Sequence, residues 1–368
     1  MCGIIGQRKA IAMKYIVKDD ESLLKKLISD NNNAKYPWTI TPYWQNYNKR
    51  IIKTLKRDGL SDFQSNFELL KGFISNAYGC IPDILPPNNF IKSIIFKAVH
   101  KLPFISNIFG FYRELISDQA INIEKIQELI NVDILNTING EFTYFKPPKG
   151  ICAGNPIHTF NWNEYEISNS FVEYLSRVAD FYKKVNPQEV KTLLEIGPGL
   201  CWSTLAHISL NPYLERVVNV DIPSTLYVST QFLKSIPSIE VVGYKKLLEI
   251  GIPKINHNKV QCLQIPTWEL QNIDLEFDWA HNAFSFMEME KEVVNSYRDL
   301  ISQKVKKGVW LLSTVKGHKP NAGGQKSVIN IEFLEKCFSS SFTKQRIDII
   351  NLSKKFGIKN QDSLFFTK

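Results

Sequence analysis

The sequence predicts an α/β chain: a mostly parallel sheet covered on both faces, closed by an antiparallel last strand, behind a helical N-terminal region. Three observations carry that prediction. From Thr192 onward, short apolar runs alternate with helix-compatible stretches, the rhythm of strands joined through crossover helices. A Gly197-Pro198-Gly199 turn separates the first such run, Leu193-Leu194, from a helix-compatible stretch over 200–208, so backbone N–H groups and a helix N-terminus face whatever lies above the turn. Two strand-like runs follow one another near the C-terminus, which suits an antiparallel close.

Taken in order, the first residues hold a false lead. Met1-Cys2-Gly3-Ile4-Ile5-Gly6 resembles the start of class II glutamine amidotransferases, with a faint echo at Asn139-Gly140-Glu141. A Lys-rich helical stretch, Ser22 to Ile28, follows instead of strands, and no His-Arg-Gly segment occurs, so Cys2 reads as an incidental residue on a mobile end. Residues 34–80 mix aromatic with basic side chains. They read as a helical layer with an aromatic core, in which Trp38, Tyr43 and Trp44 are also candidates for a sugar-binding wall. Over 90–112, Phe90, Ile91, Ile94, Ile95, Ala98 and Val99 share one helical face with lysines between them. That basic amphipathic pattern packs on its own domain or makes peripheral contact with a membrane. Residues 119–136 read as a further helix.

Tyr144 to Gly150, with Pro147-Pro148 inside it, is the candidate hinge, dividing a mainly helical region 1–150 from a second domain, 151–368. Beyond it come Gly154-Asn155-Pro156, a helix from about Ser168 to Lys184, and a stop at Asn186-Pro187. Strands are then expected at 192–194, 216–220, 260–264, 277–280, 308–313, 344–350 and 363–366. Helices are expected at 226–233, 288–305 and 331–338.

At 368 residues the chain has ample material for a core, and 44% hydrophobic content with 12% aromatics is globular. The net charge of +9 comes from scattered Lys and Arg without a basic block; it favours anionic partners in general and does not choose among them. The cysteines, Cys2, Cys80, Cys152, Cys201, Cys262 and Cys337, form no C-x-x-C pair, which argues against a zinc ribbon or a disulfide framework and for reduced thiols in the cytoplasm. No apolar run reaches the ~18–20 residues of a membrane span, and the start lacks a signal-peptide core, so a soluble chain is expected.

In an open sheet, ligands sit beyond the C-terminal strand ends. The first strand ends at Glu195, Gly197 and Gly199, the second at Asp221, the third at Gln264 and the fourth at His281-Asn282. The turn lacks the third Rossmann glycine and the P-loop Lys, but Glu195-Ile-Gly197-Pro-Gly199 resembles the first motif of class I S-adenosylmethionine-dependent methyltransferases. Asp278-Trp-Ala-His281-Asn282-Ala-Phe-Ser285-Phe-Met-Glu288-Met289 resembles the Asp-x-x-x-Asn-x-x-Ser-Phe-x-Glu-Met segment of a sugar O-methyltransferase family associated with bacterial surface polysaccharides. Asp221-Ile-Pro, Gly154-Asn155-Pro156 and Tyr43-Trp44 fit its pattern too, while Pro198 and Cys201 depart from the usual glycine-rich loop.

The resemblance implies a class I methyltransferase sheet behind a helical N-terminal region, S-adenosylmethionine as cofactor and a sugar or glycan, neutral or anionic, as acceptor. On it, Glu195, Gly197, Gly199, Asp221, Gln264 and Asn282 face the cofactor, with Asp221 accepting from the ribose hydroxyls. Asn155, His158 and Ser285 face the acceptor, and His281, Glu288 or His318 takes the hydroxyl proton. No tight carboxylate–His cluster asks for a metal. Three rivals stay open. A nucleic-acid methyltransferase suits the charge, but the Asn/Asp-Pro-Pro-aromatic loop of base-amino methylation is absent. The others are a non-catalytic scaffold of the same fold and a dehydrogenase.

Overall fold

The computed structural model describes residues 16–66, 69, 128–314, 316–317, 326–345 and 361–368. The amidotransferase-like start, the stretch 90–112 and His318 lie outside the described residues.

Three N-terminal helices open the described chain. α1 (Glu21–Asn31) is capped by Asp20, whose carboxylate accepts the Leu23 N–H at 3.1 Å, and it buries Leu23, Leu24 and Leu27. α2 (Pro42–Asp58) starts on a proline, where the missing N–H needs no partner, and ends at Gly59. α3 covers 128–141 and buries Ile134, Leu135 and Ile138, one face at helical spacing. Their apolar side chains join a single core running from Val17 to Phe366. The expected hinge at 144–150 is itself packed down: Phe145, Pro147, Pro148 and Gly150 are buried, and the Lys146 N–H donates to the Ser209 carbonyl at 3.2 Å.

A small antiparallel hairpin, β1 (Thr159–Trp162) and β2 (Tyr165–Ser168), leads into α4 (Asn169–Tyr182). The main sheet follows. β3 (Thr192–Ile196), α5 (Trp202–Leu210), β4 (Arg216–Asp221), α6 (Pro223–Lys234), β5 (Ile239–Val242), α7 (Tyr244–Ile250) and β6 (Val260–Pro266) build one half. β7 (Phe277–Ala283), α8 (Lys291–Lys304), β8 (Val305–Thr314), α9 (Ile331–Phe338), β9 (Thr343–Gln345) and β10 (Gln361–Thr367) build the other. The strand order is β5-β6-β4-β3-β7-β8-β10-β9, with β10 antiparallel to both neighbours and β5 through β8 parallel. This is the mostly parallel sheet with an antiparallel last strand expected from the sequence, with β5 added at one edge.

The chain leaves β3 for β4 on one side and returns to β7 on the other, so the switch point lies between β3 and β7. α1 packs on α6 and α7, and α2 on α6, which carries the N-terminal region to the helices beside β4, β5 and β6. Among the described residues no helix is long and apolar enough to cross a membrane.

Candidate active site

The turn after β3 is held from both sides. Gly197 (φ 65°) donates its N–H to the Val220 carbonyl at 2.8 Å, tying the turn to β4. A Cβ at Gly197 would sit 2.2 Å from Ser285 Oγ, so only glycine lets the turn after β7 approach so closely. Gly199 donates its N–H to Asp221 Oδ2 at 3.0 Å, while Asp221 Oδ1 accepts the Ile222 N–H at 2.7 Å. Cys201, which departs from the usual glycine-rich loop, has φ 62°: it takes the left-handed conformation itself and starts α5. The loop keeps its shape without a glycine there.

A cavity opens above this turn. Its floor is Ile196 to Leu200 and Val220 to Ile222; Tyr174 of α4, Thr225 of α6 and Thr267 after β6 form its sides. The 3₁₀ turn Ser285–Glu288, which follows β7, forms a further wall, and Pro37, Thr39, Thr41 and Trp44 cross it from the N-terminal region. The cavity measures about 150 Å³, below the ~300 Å³ from which ligand pockets usually start.

Two carboxylates stand on the wall, Asp221 and Glu288. Burial raises the Asp221 pKa to about 7 against the two backbone N–H groups that hold its charge, and the Glu288 and Glu195 carboxylates push the same way. Glu288 is 4% exposed; its Oε2 accepts the Trp44 indole N–H at 2.8 Å and its carbonyl accepts from Thr41 Oγ1 at 3.3 Å. None of the described residues lining the cavity carries positive charge.

Of the residues singled out from sequence, Gly197, Gly199, Asp221, Ser285 and Glu288 line this cavity together with Trp44, whereas Trp38 and Tyr43 do not. Ser285 Oγ donates to the Ile196 carbonyl at 3.1 Å, which makes it part of the turn as well as of the wall. The others are elsewhere. Asn282 lies behind the wall as a clamp: its Nδ2 donates to the Ile196 carbonyl at 2.9 Å and to Ser285 Oγ, and its Oδ1 accepts the Phe286 N–H at 3.3 Å. Glu195 is buried under α5, accepting from the Ser203 and Thr204 hydroxyls, and burial raises its pKa to about 7. Gln264 is in the core, its Oε1 accepting from Ser229 at 3.3 Å; Thr267 reaches the cavity instead.

His281 is displaced from the part of the base. Successive side chains of a strand point to opposite faces, and this one points away from the cavity. It stacks on Trp310 with centroids 4.1 Å apart, its Nδ1 lies 3.7 Å from Glu195 Oε1, and neither ring nitrogen has a hydrogen-bond partner. Burial, with the neighbouring His207 and Arg177, pushes its pKa well below the usual histidine range, so the ring is neutral and sealed. Of the three bases considered, only Glu288 faces the cavity among the described residues.

The Gly-Asn-Pro segment and His158 do not line the cavity either. The turn that follows α2 docks there. Gln64 donates its N–H to the Gly154 carbonyl at 2.8 Å and its Nε2 to the Ala153 carbonyl at 2.6 Å, while Asn155 Nδ2 reaches Asp62 at 3.2 Å. Gly154 has φ 85°, and a Cβ there would lie 2.2 Å from a Phe63 ring carbon. Gly154→Ala is therefore expected to destabilise the fold by roughly 2 kcal/mol, from the left-handed backbone and the displaced ring together; the urea midpoint measures it.

No protein-family model matches the chain, and no curated protein does. Solved structures to which it is similar include the pyocyanin biosynthetic protein PhzM, at 12% identity over 54% of this chain and 56% of that one, with a TM-score of 0.37. Magnesium protoporphyrin IX methyltransferase from Synechocystis PCC 6803 with bound SAH is 12% identical over 54% of this chain and 82% of that one, TM-score 0.34. Human N-acetylserotonin methyltransferase in complex with SAM is 11% identical over 54% and 55%, TM-score 0.35. The match thus spans little more than half the length of the first and third.

The cavity's own fittings are carboxylate, hydroxyl and aromatic. Asp221 ends β4 beside the glycine turn with its carboxylate on the wall. Trp202 Nε1 and Thr225 Oγ1, on two lining residues, are buried without a hydrogen-bond partner. Rings of Trp44, Tyr174, Phe284 and Tyr297 complete the lining. Aromatic faces and carboxylates together favour a positively charged guest. Thr225 and Tyr297 had no sequence signal beyond ordinary core residues, while Thr267 follows the strand end at which Gln264 was expected to face the cofactor. Tyr174 was hidden in the apolar stripe of its helix.

Proposed function

We propose that this chain is an S-adenosylmethionine-dependent O-methyltransferase acting on a sugar hydroxyl. One observation carries the reading: Asp221 and Glu288 line a single cavity with the glycine turn at the switch point of a class I methyltransferase sheet. When bound, the cofactor supplies a methyl group on a positively charged sulfur. Asp221 would accept from the ribose hydroxyls, with Thr225 and Thr267 beside it. Glu288 would take the acceptor's hydroxyl proton, a step a sugar needs because its hydroxyl is a weak nucleophile. The crossing residues 37–44 would keep water out.

The sugar class is supported by the likeness of segment 278–289 to the sugar O-methyltransferase pattern and by the rings of Trp44, Tyr174 and Phe284 on the wall, against which a pyranose face can stack. With two carboxylates there, the cavity favours a neutral hydroxyl over an anionic one. A cytoplasmic role in bacterial surface glycan synthesis fits this reading.

The test is calorimetry with S-adenosylmethionine, followed by transfer of labelled methyl to a panel of nucleotide sugars and bacterial glycans. Binding and transfer to a glycan hydroxyl are expected. No binding would turn the reading to a scaffold; binding of NAD instead would turn it to a dehydrogenase. Transfer to RNA with salt-sensitive binding would turn it to nucleic acid.

A further inference from the structure

The N-terminal region does more than cover the cavity. Trp44 stands 244 residues from Glu288 in sequence, yet its indole N–H donates to that carboxylate at 2.8 Å. The indole is braced in turn: the Tyr43 and Tyr47 rings pack on it with centroids 5.8 and 5.4 Å away. The segment carrying it is fixed at both sides of the mouth. Thr267 Oγ1 donates to the Trp38 carbonyl at 2.6 Å after β6, and Thr41 Oγ1 donates to the Glu288 carbonyl at 3.3 Å after β7. Asn48, one turn on from Trp44 in α2, accepts the Ser224 N–H at 3.3 Å at the start of α6. A side chain held this firmly gives the carboxylate it touches one orientation.

We infer that Trp44 is a positioning residue for catalysis, its N–H orienting the Glu288 carboxylate to receive the acceptor's proton. The inference rests on the reading of Glu288 as the base. A donor to an ionised carboxylate makes a strong directional bond, and misplacing a catalytic group by about 1 Å can lower turnover on the order of 100-fold. Packing is a separate role, because the ring supplies it without the N–H.

The experiment separates the two. Trp44→Phe keeps an aromatic ring, and incorporation of 3-benzothienylalanine at position 44 keeps the bicyclic shape while replacing only the N–H. Both are compared for kcat, acceptor KM and cofactor Kd, in the wild-type and Glu288→Gln backgrounds. The expected result is a kcat lower by roughly 10–100-fold, with KM and Kd within about threefold and no further loss in the Glu288→Gln background. Unchanged kcat for the benzothienyl protein would overturn the inference, as would equal losses in both backgrounds or a loss confined to Kd. Full turnover by Glu288→Gln alone removes the underlying base assignment and this inference with it. A normal loss in Glu288→Gln beside wild-type turnover for both Trp44 variants removes only this inference.

Discussion

Glu288→Gln is expected to lower kcat for methyl transfer by about 10²–10⁴-fold, equivalent to roughly 3–5 kcal/mol of transition-state stabilisation. The substitution is nearly isosteric, and the amide oxygen can still accept the Trp44 N–H, so the turn Ser285–Glu288 and the crossing segment should stay in place. What disappears is basicity. An acceptor hydroxyl would then have to lose its proton to water in a cavity whose walls are largely apolar. Cofactor affinity should stay within about threefold, because Asp221 and the glycine turn are untouched, and a single-turnover assay with labelled cofactor reads the chemical step directly. A rise in KM with kcat intact would make Glu288 a binding residue and send the search for a base elsewhere.

The sheet was legible because its strands are short apolar runs ending on turn residues, and the glycine turn and Asp221 were legible because local spacing alone places them at one strand end. β5 was not: Ile239 to Val242 is four residues long, buried only at its two ends and at an edge, with too little alternation to register. The departure at Cys201 proved harmless, since the left-handed seat matters and a non-glycine residue can occupy it at some strain.

The site was harder to read than the sheet, for two physical reasons. Glu195, His281 and Asn282 sit at strand ends, but sequence does not say which face each one takes when the strand is buried on both sides. The face decides whether a polar residue meets a ligand or is sealed in the core. The pairs that shape the cavity are also far apart along the chain. Trp44 with Glu288, and Thr267 with Trp38, are contacts between the N-terminal region and the sheet, and no periodicity announces them. The Gly-Asn-Pro motif drew attention through its likeness to the family pattern, but what its glycine admits is the Phe63 ring.

Cofactor affinity is expected to rise about tenfold per pH unit up to a pH of about 7 and then level off, with Asp221 as the cause. Burial lifts its pKa from 3.8 to about 7, so below that value the free protein carries a neutral acid there. Accepting from two ribose hydroxyls calls for the carboxylate, and binding at lower pH must first expel a proton. The sign for stability is opposite. A folded pKa above the unfolded one stabilises the fold fully below about 4, and that contribution drains away as pH rises through 7, at up to about 1.4 kcal/mol per pH unit for the one proton. The unliganded protein should therefore lose this contribution over the window in which cofactor affinity climbs. Asp221→Asn should weaken binding on the order of 100-fold at pH 8, from the lost charge-assisted bonds, and flatten the affinity between pH 5.5 and 8.5. It should also remove that one-proton slope from the stability curve. Glu288→Gln adds an internal check: because the Glu288 charge helps hold Asp221 up, neutralising it should move the affinity midpoint to lower pH without abolishing it. An affinity already flat with pH in the wild type would mean that Asp221 only braces Gly199 and Ile222, and the ribose contact would then belong to Thr225 or Thr267.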